Sequence, residues 1–256
     1  MRLKSFKDRL ARRDLIVGTW QKTPSYVVAE VLAKSDLDVI CLDAEHAPFD
    51  RSDLDAAVLA CRANDMPVLI RTRSSAPERI LNALDIGATG IVAPHIVDVA
   101  GARSLVRACH YGANGRGYAG STRAADYTRV KMPQHLVNSK AATVVVAQIE
   151  DAEAVSNIAE IANEPGVDCL FIGRADLAVS YGATSAADPV VLEAAERVCV
   201  AAAAAGRSVG MFVPDLAEIS LWRRLGVSLF ILESDHTFLF RGAAALAATV
   251  RATSAT

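Results

Sequence analysis

Eight short apolar runs, each followed by a longer amphipathic stretch, constrain the fold of this 256-residue chain more than any other feature. The runs fall at residues 16–20, 38–42, 67–71, 90–94, 143–149, 168–173, 208–213 and 228–232. Unbroken apolarity over so few residues is what a parallel strand covered on both faces requires. The segments between them carry helical spacing, among them 25–35, 52–64, 77–86, 152–163, 189–205, 216–225 and 238–253. Asp50 or Ser52, Asp151 and Asp215 stand where helix caps are expected, and Gly87, Gly206 and Gly226 stand where helices end. Eight such units in about 250 residues predict the α/β class, a (β/α)8 TIM barrel forming one domain over 1–256. A doubly wound sheet competes, but it usually has fewer strands, and no Gly-x-Gly-x-x-Gly turn follows the first run.

Composition narrows the function. A net charge of −2 argues against a nucleic-acid surface, which normally shows a basic excess. Five cysteines make an odd, scattered set without Cys-x-x-Cys spacing, and Cys41 and Cys169 lie inside apolar runs. That suits reduced thiols rather than a disulfide framework. Residues 1–13 lack the apolar core of a secretion signal, and no run approaches the roughly 20 apolar residues of a membrane span. The expectation is a soluble cytoplasmic protein with neither membrane nor nucleic-acid partners.

In a barrel of this kind the chemistry sits at the carboxyl ends of the strands. The first strand delivers Trp20, the second Asp43, Glu45 and His46, and the third Arg71 and Arg73. The fourth delivers His95, the fifth Gln148 and Glu150, and the sixth Arg174 and Asp176. The eighth ends in Glu233 and Asp235, while the seventh offers only Phe212 and Val213. Glu150 and Asp176, on neighbouring strands, can share Mg²⁺ or Mn²⁺, or can be solvated loop carboxylates. Asp151 is the better cap candidate, which frees Glu150. Arg71 can grip a carboxylate or enolate oxygen through two hydrogen bonds, or can pair with Asp43 or Glu45. A lone histidine here would read as a satisfied loop residue, but Asp43 and Glu45 beside it and a cation nearby turn His46 toward a base. Spacing gives Asp85 no role beyond a helix surface. The long irregular stretch 111–131 reads as a lid or a contact between subunits.

Five ordered segments carry a resemblance: Asp43-Ala44-Glu45-His46-Ala47-Pro48, Pro67-Val68-Leu69-Ile70-Arg71, Leu84-Asp85-Ile86-Gly87-Ala88, Gln148-Ile149-Glu150, and Phe171-Ile172-Gly173-Arg174-Ala175-Asp176-Leu177. Together they resemble the HpcH/HpaI aldolases, metal-dependent pyruvate aldolases of the 4-hydroxy-2-oxoheptanedioate type, over residues 16–249. The resemblance implies a (β/α)8 barrel with its last helix exchanged between subunits, in a hexamer built as a dimer of trimers. It implies Glu150 and Asp176 as ligands of Mg²⁺, Mn²⁺ or Co²⁺. Gln148, Ala175 and Asp176 would contact pyruvate, the backbone near Gly173 would meet its carboxylate, and Trp20 and Arg174 would border it. Arg71 would stabilise the enolate oxygen. His46 would be the base, with Asp85 raising its basicity from the same or a neighbouring subunit and Asp43 supporting the water network.

Two departures from the family pattern concern the aldehyde partner. Arg174 stands where a small residue is usual, and the eighth strand ends in Leu232-Glu233-Ser234-Asp235. Arg174 can bind a second carboxylate or face a subunit contact, and the 111–131 stretch can shape the acceptor pocket. The implied reaction is reversible cleavage of a 4-hydroxy-2-oxoacid to pyruvate and an aldehyde. Oxaloacetate decarboxylation, acyl-CoA cleavage and a non-catalytic pyruvate-binding barrel are the competing readings. No lysine falls at a strand end, so Schiff-base chemistry is not expected.

Overall fold

Each apolar run becomes one strand of a closed parallel barrel whose strands neighbour one another in chain order. The computed structural model describes residues 2–253. Its strands are β1 (Ile16–Gln21), β2 (Val39–Asp43), β3 (Val68–Arg71), β4 (Gly90–Ala93), β5 (Val144–Ile149), β6 (Cys169–Ile172), β7 (Ser208–Met211) and β8 (Val227–Ser234). β1 pairs with β8 to close the ring. The ends of the expected 1–256 span, Met1 and residues 254–256, lie outside the described residues.

Alternation along each strand sorts the core into two layers. Val39 and Cys41, Leu69, Val92, Val144 and Val146, Cys169 and Phe171, and Leu229 and Ile231 form one buried cluster inside the barrel. Their sequence neighbours, such as Ile40, Leu42, Ile70, Val145, Ile172 and Met211, belong to a second cluster against the surrounding helices. Both faces of most strands are therefore apolar, which is why the runs read as continuous rather than alternating. Gly210 makes room for this interior, since a Cβ there would come within 2.6 Å of Phe171 Cδ2.

The helix Arg2–Ala11, which sequence reading did not isolate, plugs the bottom of the barrel. Phe6 and Leu10 lie one helical turn apart and join the interior cluster at 0% and 1% exposure. Ser208 Oγ donates to Leu10 O at 2.5 Å, and Lys7 Nζ donates to Thr143 O at 2.6 Å. Those partners lie at the starts of β7 and β5, so the plug sits at the amino ends of the strands. Full burial of two such side chains stabilises by about 3–6 kcal/mol.

Three expected helices differ in detail. The 152–163 helix is two, Ala152–Ser156 and Ile158–Asn163, interrupted at Asn157, whose Nδ2 donates to Val97 O at 3.0 Å. The 216–225 segment starts as a 3₁₀ turn, Leu216–Glu218, before the helix Ile219–Arg224. The last helix begins earlier than expected, at Asp235, and runs to Thr253. Asp235 accepts from the backbone N–H groups of Lys22 (2.7 Å) and Thr23 (2.9 Å), so it serves structure. Phe238, Leu239, Phe240, Leu246 and Val250 lie exposed along that helix. Among the described residues, no helix is long and apolar enough to cross a membrane.

Candidate active site

The inward-facing rows turn polar one step beyond the apolar interior. Asp43 follows Cys41, Arg71 follows Leu69, Gln148 and then Glu150 follow Val146, Gly173 follows Phe171, and Glu233 follows Ile231. The period of two that packs the barrel thus brings these groups together at its carboxyl-end rim.

Asp43 and Arg71 form the centre of one side. Arg71 Nε donates to Asp43 Oδ1 at 3.0 Å, and Arg71 Nη2 lies 2.9 Å from Oδ2. Lys22 Nζ approaches the same Oδ2 at 3.3 Å. Asp43 is fully buried, and burial alone would raise its pKa; the Arg71 guanidinium outweighs that and holds the carboxyl below its ordinary value. The bland alternative for Arg71, a salt bridge to β2, is therefore realised, and it orients the guanidinium at the rim. Arg71 lies 4.4 Å above the Trp20 ring, which itself packs edge-on against Phe171. Asp43 Oδ1 also accepts from the His46 backbone N–H at 3.2 Å, fixing the turn that presents the half-exposed His46 ring.

On the other side, Glu45, His95 and Glu150 each offer a ligand atom within 4.8 Å of the others. Among the described residues they are the one trio of acidic, His or Cys side chains so placed. Glu150, 2% exposed, accepts from the backbone N–H of His95 at 2.9 Å and from Gln148 Nε2. Glu45 Oε2 is buried without a hydrogen-bond partner; Arg71 Nε lies 3.4 Å and His46 Nε2 3.7 Å away. Burial, and then repulsion by Glu150, raise the Glu45 pKa. Gln148 Oε1 is buried and unpartnered as well. Crowded carboxylates beside orphaned oxygens fit a divalent cation, because each such oxygen is costly to leave unmatched. Gly173 belongs to this cradle: a Cβ there would come within 3.0 Å of both Cβ and Oε2 of Glu150.

His95 has a left-handed backbone, φ +53°, which costs about 1–3 kcal/mol for a residue with a Cβ. That conformation aims its N–H at Glu150 while its ring Nδ1 lies 3.0 Å from Asp151 Oδ2. Asp151 stands at the cap position of its helix but makes no cap hydrogen bond. It serves His95 instead, and with Glu150 and Glu45 it raises the imidazole pKa against the effect of burial.

A cavity of about 330 Å³ opens beside these groups, lined by Trp20, Lys22, His46, Arg71, Gln148, Gly173, Arg174, Ala175, Asp176 and Glu233, with Phe171, Phe212, Ser234 and Thr237. Most of the expected site residues therefore meet at one place. Arg174 is 3% exposed and is already engaged: Nη1 lies 2.8 Å from Glu218 Oε2, and the guanidinium covers the Trp222 ring at 5.2 Å. Glu218 also accepts from Trp222 Nε1 at 3.0 Å, so Arg174 ties the segment after β6 to the segment after β7. Glu233 accepts from Arg241 Nη1 at 2.5 Å and has a left-handed φ of +55°.

Two expected contributors stand apart from the rim of their own chain. Asp85 accepts from Arg116 Nη2 at 2.6 Å. The 111–131 stretch supplies that arginine and is pinned outside the barrel, where Arg123 binds Asp55 Oδ1 at 2.8 Å and Ile86 O at 2.9 Å. None of its residues lines the cavity. Sequence reading left Glu45 without a role, placed His95 only as a rim residue, and passed over Lys22 and Glu218. A carboxylate and an imidazole at the ends of β2 and β4 were the signals available for the first two.

The model for the HpcH/HpaI aldolase/citrate lyase family matches residues 17–237. A hydroxypyruvate/pyruvate aldolase of Paraburkholderia phytofirmans is 34% identical over 92% of this chain and 93% of its own length. A 4-hydroxy-2-oxo-heptane-1,7-dioate aldolase of Salmonella typhimurium is 33% identical over 95% and 93%. A crystal structure of a family protein from Burkholderia cenocepacia superposes with a TM-score of 0.91 at 34% identity, covering 97% of this chain and 99% of that one.

Proposed function

The chain belongs to the HpcH/HpaI aldolase/citrate lyase family, and from that premise we propose a divalent-metal-dependent pyruvate aldolase that reversibly cleaves a 4-hydroxy-2-oxoacid to pyruvate and an aldehyde. That the protein is an aldolase, a carbon–carbon lyase, follows from the family and from named relatives matched over more than nine-tenths of the chain. The observation that carries the finer reading is the pairing of two charge types at one rim. Arg71 is oriented by a buried Asp43, and Glu45 and Gln148 set unmatched buried oxygens near the Glu150 carboxylate.

Glu150 and Asp176 would hold the cation, Mg²⁺, Mn²⁺ or Co²⁺, which would supply stabilisation of negative charge on the keto oxygen of pyruvate. Gln148, Ala175 and Asp176 border that substrate, the backbone at Gly173 and Arg174 meets its carboxylate, and Trp20 floors the site. Arg71 has further N–H donors beyond the two facing Asp43, and it directs one to the oxygen where charge develops. His46 takes a proton from the pyruvate methyl group, and the resulting carbon nucleophile bonds to the aldehyde carbon. In the cleavage direction His46 removes the proton of the 4-hydroxyl, the C3–C4 bond breaks, and pyruvate regains the proton at its methyl carbon. Asp85 reaches His46 from a neighbouring subunit in a hexamer whose last helices are exchanged. The exposed apolar residues of that helix support this assembly.

Pyruvate release from 4-hydroxy-2-oxoheptanedioate tests the reading. Release requires added Mg²⁺, Mn²⁺ or Co²⁺ and disappears with EDTA and in Glu150→Ala. Full rate under chelation overturns it. Oxaloacetate and a CoA thioester in parallel assays separate the aldolase from a decarboxylase and a CoA-dependent lyase.

A further inference from the structure

Regular alternation along β8 fails where the strand meets the rim cavity. Between the pairs Gly18–Ile231 and Trp20–Ser234, β1 advances two residues and β8 three, so β8 carries one extra residue. Glu233 sits in that bulge with a left-handed φ of +55°, a conformation that glycine adopts freely and a side chain only at a cost. Bulges beside active sites re-aim side chains. Here Glu233 and Ser234, consecutive in sequence, both line the cavity. A regular strand would send one of them to the outer face.

We infer that Glu233 selects the aldehyde partner, favouring aldehydes that carry hydroxyl groups over those that carry a second carboxylate. The inference rests on the aldolase reading above and narrows its substrate class. An ionised carboxylate only accepts hydrogen bonds, so it matches a hydroxyl and repels another carboxylate. Arg241 Nη1 occupies Oε1 at 2.5 Å, and among the described residues nothing hydrogen-bonds to Oε2. Ser234 and Thr237 line the same end, their hydroxyl oxygens 3.2 Å apart, and offer further donors and acceptors to a polyol chain. The lysine and arginines of the lining are already committed. Lys22 lies 3.3 Å and Arg71 2.9 Å from Asp43, and Arg174 lies 2.8 Å from Glu218. Arg241 itself is not among the lining residues. A second carboxylate on the aldehyde would therefore meet Glu233 without a free guanidinium or ammonium to offset it.

The test follows aldol addition by the full-length protein at saturating pyruvate and divalent metal. It compares kcat/KM for D-glyceraldehyde, for propanal, which lacks the hydroxyls, and for succinic semialdehyde, the aldehyde half of 4-hydroxy-2-oxoheptanedioate. Ratios between aldehydes cancel any loss in the pyruvate half of the reaction. All three are expected to react in the wild type, with glyceraldehyde favoured by about tenfold or more over each of the others. Glu233→Gly, which suits the left-handed backbone, should lower both ratios about tenfold. Glu233→Gln keeps a hydrogen-bond acceptor without the charge. It should retain most of the preference over propanal while losing the preference over succinic semialdehyde. Ratios unchanged in Glu233→Gly, or an equal fall for all three aldehydes, overturn the inference and leave the aldolase reading standing. A wild type that favours succinic semialdehyde, and loses that preference in Arg241→Met, assigns this end to a carboxylate and also overturns it. No addition to any aldehyde with any divalent metal overturns the aldolase reading and this inference with it.

Discussion

The two ends of the barrel extend the same inward-facing rows and meet opposite physical demands. At the amino end, Phe6 and Leu10 complete the apolar interior, and the polar atoms that accompany them pair within the chain. At the carboxyl end, the rows continue into Asp43, Arg71, Gln148 and Glu150, and oxygens of Glu45 and Gln148 are left buried without partners. The first end resembles a finished core. The second holds concentrated charge that a ligand would neutralise, and such a site trades stability for chemistry.

The contrast breaks if the two ends respond alike to mutation. Phe6→Ala, which empties a fully buried position, should cost about 3–5 kcal/mol of unfolding free energy by denaturant titration. Its activity per folded molecule should stay unchanged, because the plug touches none of the rim groups. Glu150→Gln should do the reverse. A weakened hold on the cation that would stabilise the substrate oxygen should lower kcat about 10²–10³-fold. The same change relieves its repulsion of Glu45, so the metal-free protein should unfold at equal or higher denaturant.

Gly173→Ala sharpens the comparison at the backbone. The added methyl meets Glu150 at 3.0 Å, a tight contact, and should shift the cradle at a cost of about 1–3 kcal/mol. The loss should show chiefly as a raised KM for pyruvate. The smallest effect is electrostatic. Asp43 has a folded pKa below its unfolded value of about 3.9, so its contribution is complete above that pH and is lost as pH falls through the folded pKa. An NMR titration should find the Asp43 carboxylate still ionised below pH 3.9, and the stability curve should steepen by about 1.4 kcal/mol per pH unit in that window.

The same contrast explains what was legible in the sequence. Strands buried on both faces leave unbroken apolar runs, so all eight were visible along with the polar residues that follow them. The bottom plug was not, because Phe6 and Leu10 are two apolar positions in an otherwise charged segment, and nothing local says that a barrel mouth covers them. Asp151 was read as a helix cap from its position; the imidazole of His95, 56 residues away in sequence, takes its carboxylate instead. Arg174 was read as a substrate or subunit contact, since its partners Glu218 and Trp222 come from the next strand's loop and share no spacing with it. Pairings along one strand follow a period of two, whereas pairings between loops follow from closure of the barrel.

The central claim is that this rim removes a proton from the methyl group of pyruvate with the help of a divalent cation. Deuterium uptake into that methyl group, followed by mass spectrometry in D₂O without any aldehyde, tests it most directly. The account predicts exchange that depends on a divalent metal, stops with EDTA, and falls by at least about 10²-fold in Arg71→Met. Exchange at full rate without metal, or pyruvate binding with no exchange under any metal, would contradict it.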